Sequence, residues 1–194
     1  MWRHTTIAIK LVLTTTLLLG VVYPLAITGL AHLLFPRQAD GSLVKRDGKV
    51  VGSALIGQQF TRPEHFHPRP SAAGDGYDAT ASGGSNLGPT SGKLAARVRG
   101  EVRRLREGNP SLQEGRIPVD MVTASASGLD PDISLANAYA QAPRVARARG
   151  LREEVVRDLI AANARGRQLG LLGEPRVNVL RLNLALDAAG AARR

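Results

Sequence analysis

Residues 11–35 read LVLTTTLLLGVVYPLAITGLAHLLF and carry no Asp, Glu, Lys or Arg. As a helix rising 1.5 Å per residue the run is roughly 37 Å long, more than the ~30 Å hydrocarbon core of a bilayer. Water is absent at that depth, so each backbone polar group must pair within the segment, and a helix is the single-segment solution. The core of a cleavable signal is shorter, ~7–15 residues, and ends in a small-x-small site. No good site of that kind closes this run, so it reads as an uncleaved anchor. Its surface is uneven. Gly20, Gly29 and Thr14–Thr16 let another helix approach closely. Pro24 withholds a hydrogen bond from the carbonyl near Gly20, a defect best tolerated among neighbouring helices. The pattern predicts a transmembrane helix over 11–35 that packs against partners.

Before the span, residues 1–10 hold Arg3 and Lys10; after it come Arg37, Lys45, Arg46 and Lys49. The basic count leans slightly toward a cytoplasmic domain, whereas a short basic head leans the other way, so charge leaves the orientation open. Pro36 ends the helix, and residues 36–48 read as a connector. The remainder, 49–194, has the length of one ordinary domain. The expected fold class is α+β: one N-terminal transmembrane helix followed by a small mixed α/β domain.

Aromatic residues make up 4% of the chain, so the core must be built from Leu, Val, Ile and Ala. With no cysteine, disulfides, thiolate nucleophiles and Cys-based metal sites are excluded. The net charge of +10 is Arg-based and spread along the chain. With too few stacking aromatics for a single-strand binder, it reads as general surface charge, part of it suited to anionic lipid headgroups, rather than as a nucleic-acid footprint.

Lys49–Ile56 (KVVGSALI) has β-branched character and predicts a strand, with Gly52 at a bulge. Residues 60–92 are too rich in Gly and Pro for long elements, yet Phe60, Phe66, Tyr77 and Leu87 are spaced to pin an ordered loop to a core. A helix follows, capped by Thr90 or Ser91, with Leu94, Val98, Val102 and Leu105 on one face and arginines 97, 99, 103, 104 and 106 on a solvated one. Gly108-Asn109-Pro110 ends it. Ile117–Ala124 reads as strand-like and Ser125–Pro131 as a turn. Ser134 caps a helix over 135–141, Pro143 opens a second over 143–149, and Leu151–Asn163 forms a third through Leu151, Val155, Leu159 and Ala162. After a loop over 166–175, a short strand at 176–179 leads into a helix.

Three stretches invite chemistry. Gly88-Pro-Thr-Ser-Gly-Lys93 approaches a phosphate loop, but only three residues separate its glycines, Pro89 lacks an N–H, and Leu94 stands where a hydroxyl should meet magnesium. His65 and His67 would point to one side of a strand and could ligate a metal, but no third ligand accompanies them. Ser125, Ser127 and Asp130 could join a distant His in a hydrolase triad, making a membrane-anchored periplasmic serine hydrolase the alternative reading. No Gly-x-Ser-x-Gly elbow surrounds Ser125, and hydroxyls there more readily hold a turn. No catalytic or metal-binding residue is therefore assigned, and cofactor-binding residues stay unknown.

The runs VVYPLAITGLAHLLFP (21–36), FHPRPSA (66–72), SGGSNLGPTS (82–91), VTASASGLDPDIS (122–134), PRVARARGL (143–151) and VNVLRLNLALD (177–187) together carry a resemblance covering nearly the whole chain. In that order they resemble the C subunit of the Kdp-type high-affinity potassium-transporting P-type ATPase. Asp132 and Leu135 depart from the family's pattern, which commonly has His and Pro there. The resemblance implies a non-catalytic single-pass subunit in the cell inner membrane, its N-terminus cytoplasmic and its domain periplasmic. It implies three partners: a potassium-translocating subunit, an ATP-hydrolysing P-type subunit and a small accessory subunit. It also implies a catalytic chaperone that raises the ATP affinity of the hydrolysing subunit, which makes ATP the associated cofactor, with potassium handled by the complex. An acidic patch from Asp75, Asp78, Asp130 and Asp132 is expected if the domain draws potassium.

Overall fold

The computed structural model describes residues 2–109, 112 and 116–191, and the chain divides between Ser53 and Ala54 into two compact units. The first begins with a continuous helical rod, Trp2–Leu34, long and apolar enough to cross a membrane and with none of its apolar window buried in the chain. It consists of α1 (Trp2–Leu17), a π-helical turn (Leu18–Val22) and α2 (Tyr23–Leu34). The Tyr23 N–H donates to the Leu18 carbonyl, one residue beyond the α-helical partner. The turn lies just ahead of Pro24, which has no N–H to offer Gly20, so the wider turn absorbs the defect that the sequence placed there. Phe35 leaves the helix at φ −138°, as a residue before proline tends to. Pro36 then opens a fresh turn, α3 (Pro36–Ala39), rather than only stopping the old one.

The segment read as a connector contains a strand. β1 (Leu43–Arg46) pairs antiparallel with β2 (Lys49–Ser53). Asp47 and Gly48 join them at φ 50° and 76°, the left-handed pair that a two-residue hairpin requires. Asp-Gly is itself a hairpin signal. The register slips between Val44 and Lys45, leaving Val51 as the extra residue next to Gly52.

In the second unit, α4 (Gly92–Gly108) is capped by the Ser91 hydroxyl, which accepts from the Leu94 N–H. Its Leu94, Val98, Val102 and Leu105 stripe is only half-buried. Pro110, part of the expected stop signal, lies outside the described residues. The expected strand at 117–124 is instead a single 3-10 turn, Val119–Met121, set up by Pro118. Asp120 is drawn away to accept from the Ser134 N–H and hydroxyl, and Met121 and Val122 bury side by side instead of alternating. Strand β3 (Asp132–Ser134) runs straight into α5 (Leu135–Arg149). The two short helices expected around Pro143 are one. Proline inside a helix costs ~3 kcal/mol, but Ala142 just before it and Val145 and Ala146 on the following turn are fully or almost fully buried, and that packing outweighs the loss. Gly150 ends α5 at φ 63°.

Helix α6 (Glu153–Asn163) buries Val156 and Ile160, whereas Ala162, expected on the inner face, is exposed. β4 (Ala164–Arg165) and β5 (Arg176–Asn178) flank a turn, and α7 (Val179–Ala191) follows β5 directly. The sheet is antiparallel in the order β3-β5-β4. Helices α5, α6 and α7 pack around Ile133 and Val177 of the sheet, with Phe66 inserted from the long loop. The result is the α+β class expected: an apolar N-terminal helix and a small mixed domain.

Candidate functional site

Proline and glycine deny residues 60–91 any ladder of their own, yet buried backbone groups still need partners. Two helix amides supply them. Asn183 of α7 accepts from the Phe66 N–H at 2.8 Å and donates to the Phe66 carbonyl at 3.1 Å. Gln141 of α5 repeats the arrangement one residue on, accepting from the His67 N–H at 2.8 Å and donating to its carbonyl at 2.9 Å. The Gln141 amide also donates to Asn137 Oδ1 at 2.7 Å. Arginines extend the clasp backwards. Arg144 donates to the carbonyls of Pro63 and His65, and Arg149 to that of Glu64. Arg149 is held in turn by Asp187 at 2.9 Å.

Beside this clasp, His67, Arg104, Asn109, Asn137, Gln141 and Arg144 help line a narrow cleft of about 80 Å³. Burial, helped by the Arg144 guanidinium, lowers the His67 imidazole to a pKa of about 4. Burial and the nearby Arg104 bring Arg144 down to about 10. Both effects disfavour additional positive charge in the cleft.

A second, wider cleft of about 630 Å³ opens between the sheet edge and the 166–175 turn. On its floor Asp120 accepts from the Ser134 N–H, the Ser134 hydroxyl and the Asn137 amide, tying the 3-10 turn to the start of α5. Asp130 pairs with Arg69 at 2.8 Å, and Asp132 with Arg176 at 2.9 Å. Tyr77 donates its hydroxyl to the Arg69 carbonyl, and burial raises its pKa.

The expected acidic patch is not formed as such. Asp130 and Asp132 are each neutralised by an arginine, and Asp78 is engaged by the Thr80 hydroxyl and N–H. His65 and His67 do not act as a pair. His65 stacks edge-on against Phe60, while His67 Nε2 lies 3.0 Å from the Arg62 carbonyl. Among the described residues no group of three or more His, Cys, Asp or Glu is arranged to hold a metal. Ser125 Oγ faces Ser127 Oγ at 3.4 Å in a turn whose carbonyls accept from the 71–83 segment. Gly88–Lys93 is the lead-in to α4, with Ser91 as its cap.

The residues that organise the site, Asn137, Gln141, Arg144, Arg149 and Asn183, were missed in the sequence. Their signal is a polar side chain at a buried phase. Asn183 sits between Leu182 and Leu186, both fully buried.

Comparison with known proteins points to the same family. The family model described as the K+-transporting ATPase c chain, KdpC, matches residues 5–188. A potassium-transporting ATPase KdpC subunit of Bradyrhizobium diazoefficiens is 55% identical over 203 residues, covering 98% of this chain and 100% of its own. One from Gemmatimonas aurantiaca is 58% identical, covering 98% and 96%. One from Myxococcus xanthus is 60% identical, covering 93% and 85%.

Proposed function

The chain belongs to the KdpC family, the c chains of K+-transporting ATPases, and on that premise we propose how it serves its complex. It is a non-catalytic accessory subunit of the multi-subunit Kdp complex and a membrane protein of potassium transport, with a single N-terminal apolar helix. Its partners are the potassium-translocating subunit, the ATP-hydrolysing P-type subunit and the small accessory subunit. The N-terminus faces the cytoplasm and the α+β domain faces the periplasm of the inner membrane. The chain helps the complex assemble and raises the ATP affinity of the hydrolysing subunit.

The observation that carries this reading is a family match that runs through the span, from residue 5 to residue 188. The residues weighed for a hydrolase are otherwise engaged: Ser125 faces a serine, and the His67 ring faces a backbone carbonyl. ATP lies on the cytoplasmic side and the domain on the other. An effect on ATP affinity must therefore cross the membrane, by the helix Trp2–Leu34 or by the spans of the partner subunits, as a coupling between sites of typically 1–3 kcal/mol.

Two measurements test the proposal. The chain has no cysteine, so a single one introduced at exposed Thr80 reports topology. It should react with a membrane-impermeant maleimide in intact spheroplasts; protection until lysis would reverse the orientation. In detergent, the tagged chain should bring down the other Kdp subunits, and the KM for ATP of the complex should rise when the chain is stripped away. Recovery as a lone monomer in every mild detergent would refute the assembly.

A further inference from the structure

The β1–β2 hairpin is fastened to the end of the membrane helix. The Phe35 N–H donates to the Ala31 carbonyl of α2, and the Ala39 N–H to the Phe35 carbonyl, so α3 follows the rod without a break in bonding. The Ser42 N–H then donates to the Arg37 carbonyl at 2.9 Å, and the Ser53 hydroxyl to the Gly41 carbonyl at 2.7 Å. These bonds hold both strands at their open end, where Leu43 and Ser53 are register partners. The charge-free run 11–35, roughly 37 Å long, exceeds the ~30 Å hydrocarbon core but not the ~40–45 Å of core plus headgroups. Its end therefore emerges in the headgroup layer. From there the hairpin tip is at most roughly 14 Å away, the length of four strand residues.

That tip is built of cations. Arg46 and Lys49 are direct cross-strand partners, an arrangement that repels within the chain. Lys45 precedes Arg46 and stands opposite Val50, and all three cations are exposed. The nearby carboxylates are Asp40 and Asp47. Asp47 reaches Arg46 only at 3.9 Å, and Asp40 lies 3.6 Å from the His32 ring. Among the described residues no carboxylate pairs with Arg37, Lys45 or Lys49. Leu43, two residues before Lys45 on the same face of β1, is 43% exposed, and Val50 is 53% exposed. Apolar side chains beside lysines suit the boundary where acyl chains meet phosphates, because a lysine lays its stem along apolar surface and keeps its ammonium in the polar layer. Continuity with the helix puts a bilayer beside this surface whichever way the chain is oriented. The missing countercharge is therefore drawn from the membrane rather than from an acidic peptide.

We propose that the β1–β2 hairpin docks on the membrane surface and recognises anionic phospholipids: Lys45, Arg46 and Lys49, with Arg37, take headgroup phosphates, while Leu43 and Val50 rest on the acyl boundary.

The test uses the full-length chain, which has no cysteine, with one introduced at exposed Val50 and labelled with bimane. In nanodiscs of phosphatidylcholine mixed with phosphatidylglycerol, acrylamide, an uncharged soluble quencher, should quench the label severalfold less than in phosphatidylcholine alone. Salt at about 1 M, where the screening length is about 3 Å, should abolish the difference. Lys45→Gln combined with Lys49→Gln should abolish it too, with the Tm unchanged because both side chains are exposed. Equal quenching in the two lipids, or a difference that survives the double substitution, would overturn the proposal. Shielding that appears only in the assembled ATPase, whatever the lipid, would give the surface to an acidic partner and would also overturn it. Co-purification with Kdp subunits is a separate readout, so this docking surface and the assembly proposed above can fail independently.

Discussion

Asn183 holds the peptide groups on both sides of Phe66: its Oδ1 accepts from the Phe66 N–H at 2.8 Å, and its Nδ2 donates to the Phe66 carbonyl at 3.1 Å. Phe66 is fully buried and Asn183 nearly so, and the contact spans 117 positions of sequence. A side-chain amide here takes the place of a neighbouring strand. Replacing it with an isosteric apolar group leaves one buried donor and one buried acceptor unpaired, each worth about 1–3 kcal/mol. Asn183→Leu should therefore destabilise the chain by roughly 2–5 kcal/mol, read as a fall in the urea midpoint. Gln141→Leu should behave similarly, because it clasps His67 in the same way. A midpoint unchanged in both variants would mean that the loop is not held by these amides.

Acid should loosen the same clasp. Burial and Arg144 hold the His67 pKa at about 4, below its ordinary value of 6.5. Between those values the unfolded chain binds a proton that the folded chain refuses, so stability falls as pH drops from about 6.5 to about 4. His65 is shifted in the same direction, first by burial and then by Arg149, and adds to the slope. Urea midpoints measured across that window should decline toward acid, and His67→Gln should flatten the decline. A wild-type midpoint that is flat or rises toward acid would contradict the neutral, buried imidazole.

Glycine at 128 is demanded twice. Its φ is 67°, and a Cβ there would meet the Ala73 N and Cβ at 2.7 Å and the Gly83 carbonyl at 2.8 Å. Gly128→Ala must therefore shift the 71–83 segment away from the serine turn. It should cost more than the ~1 kcal/mol of a strained turn alone, with faster proteolysis within 71–83 as a second readout. Gly150→Ala is the control: its φ of 63° is similar, but nothing lies within 4 Å of its Cβ, so it should cost less.

In the membrane helix, Gly29 has nothing within 4 Å of where its Cβ would stand. Gly29→Ala therefore meets nothing among the described residues and leaves the helix apolar. Insertion into the membrane should be unchanged, while co-purification with the other Kdp subunits should fall if a neighbouring helix packs on that glycine. Undiminished co-purification would make the face lipid-exposed.

Much of the local structure was readable because its causes are local. Ser91 and Ser134 as caps, Gly150 as a left-handed stop and the strand-to-helix junction at Val179 all follow from side chains acting within a turn of themselves. So did the disturbance at Pro24, although not its form as a π turn. The hairpin at Asp47-Gly48 has a local signal too, set among the charges of residues 36–48, which read as a connector. The single α5 across Pro143 and the 3-10 turn at 119–121 were not readable, because burial by distant segments decided both.

By itself the sequence determined that the chain carries a membrane-crossing apolar helix, that its domain is α+β, and that it belongs with the subunits of potassium-transporting ATPases. Hydrophobic run length, caps and ordered motifs are properties of neighbours along the chain. Only the tertiary structure decided that a proline- and glycine-rich loop is clasped by Asn183 and Gln141, that Asp130 and Asp132 are spent on Arg69 and Arg176, and that Leu169 stands exposed at a strained turn. These facts join residues tens of positions apart or depend on what fails to cover a side chain. A buried polar group takes whichever partner folding brings to it, and no spacing in the sequence records that choice.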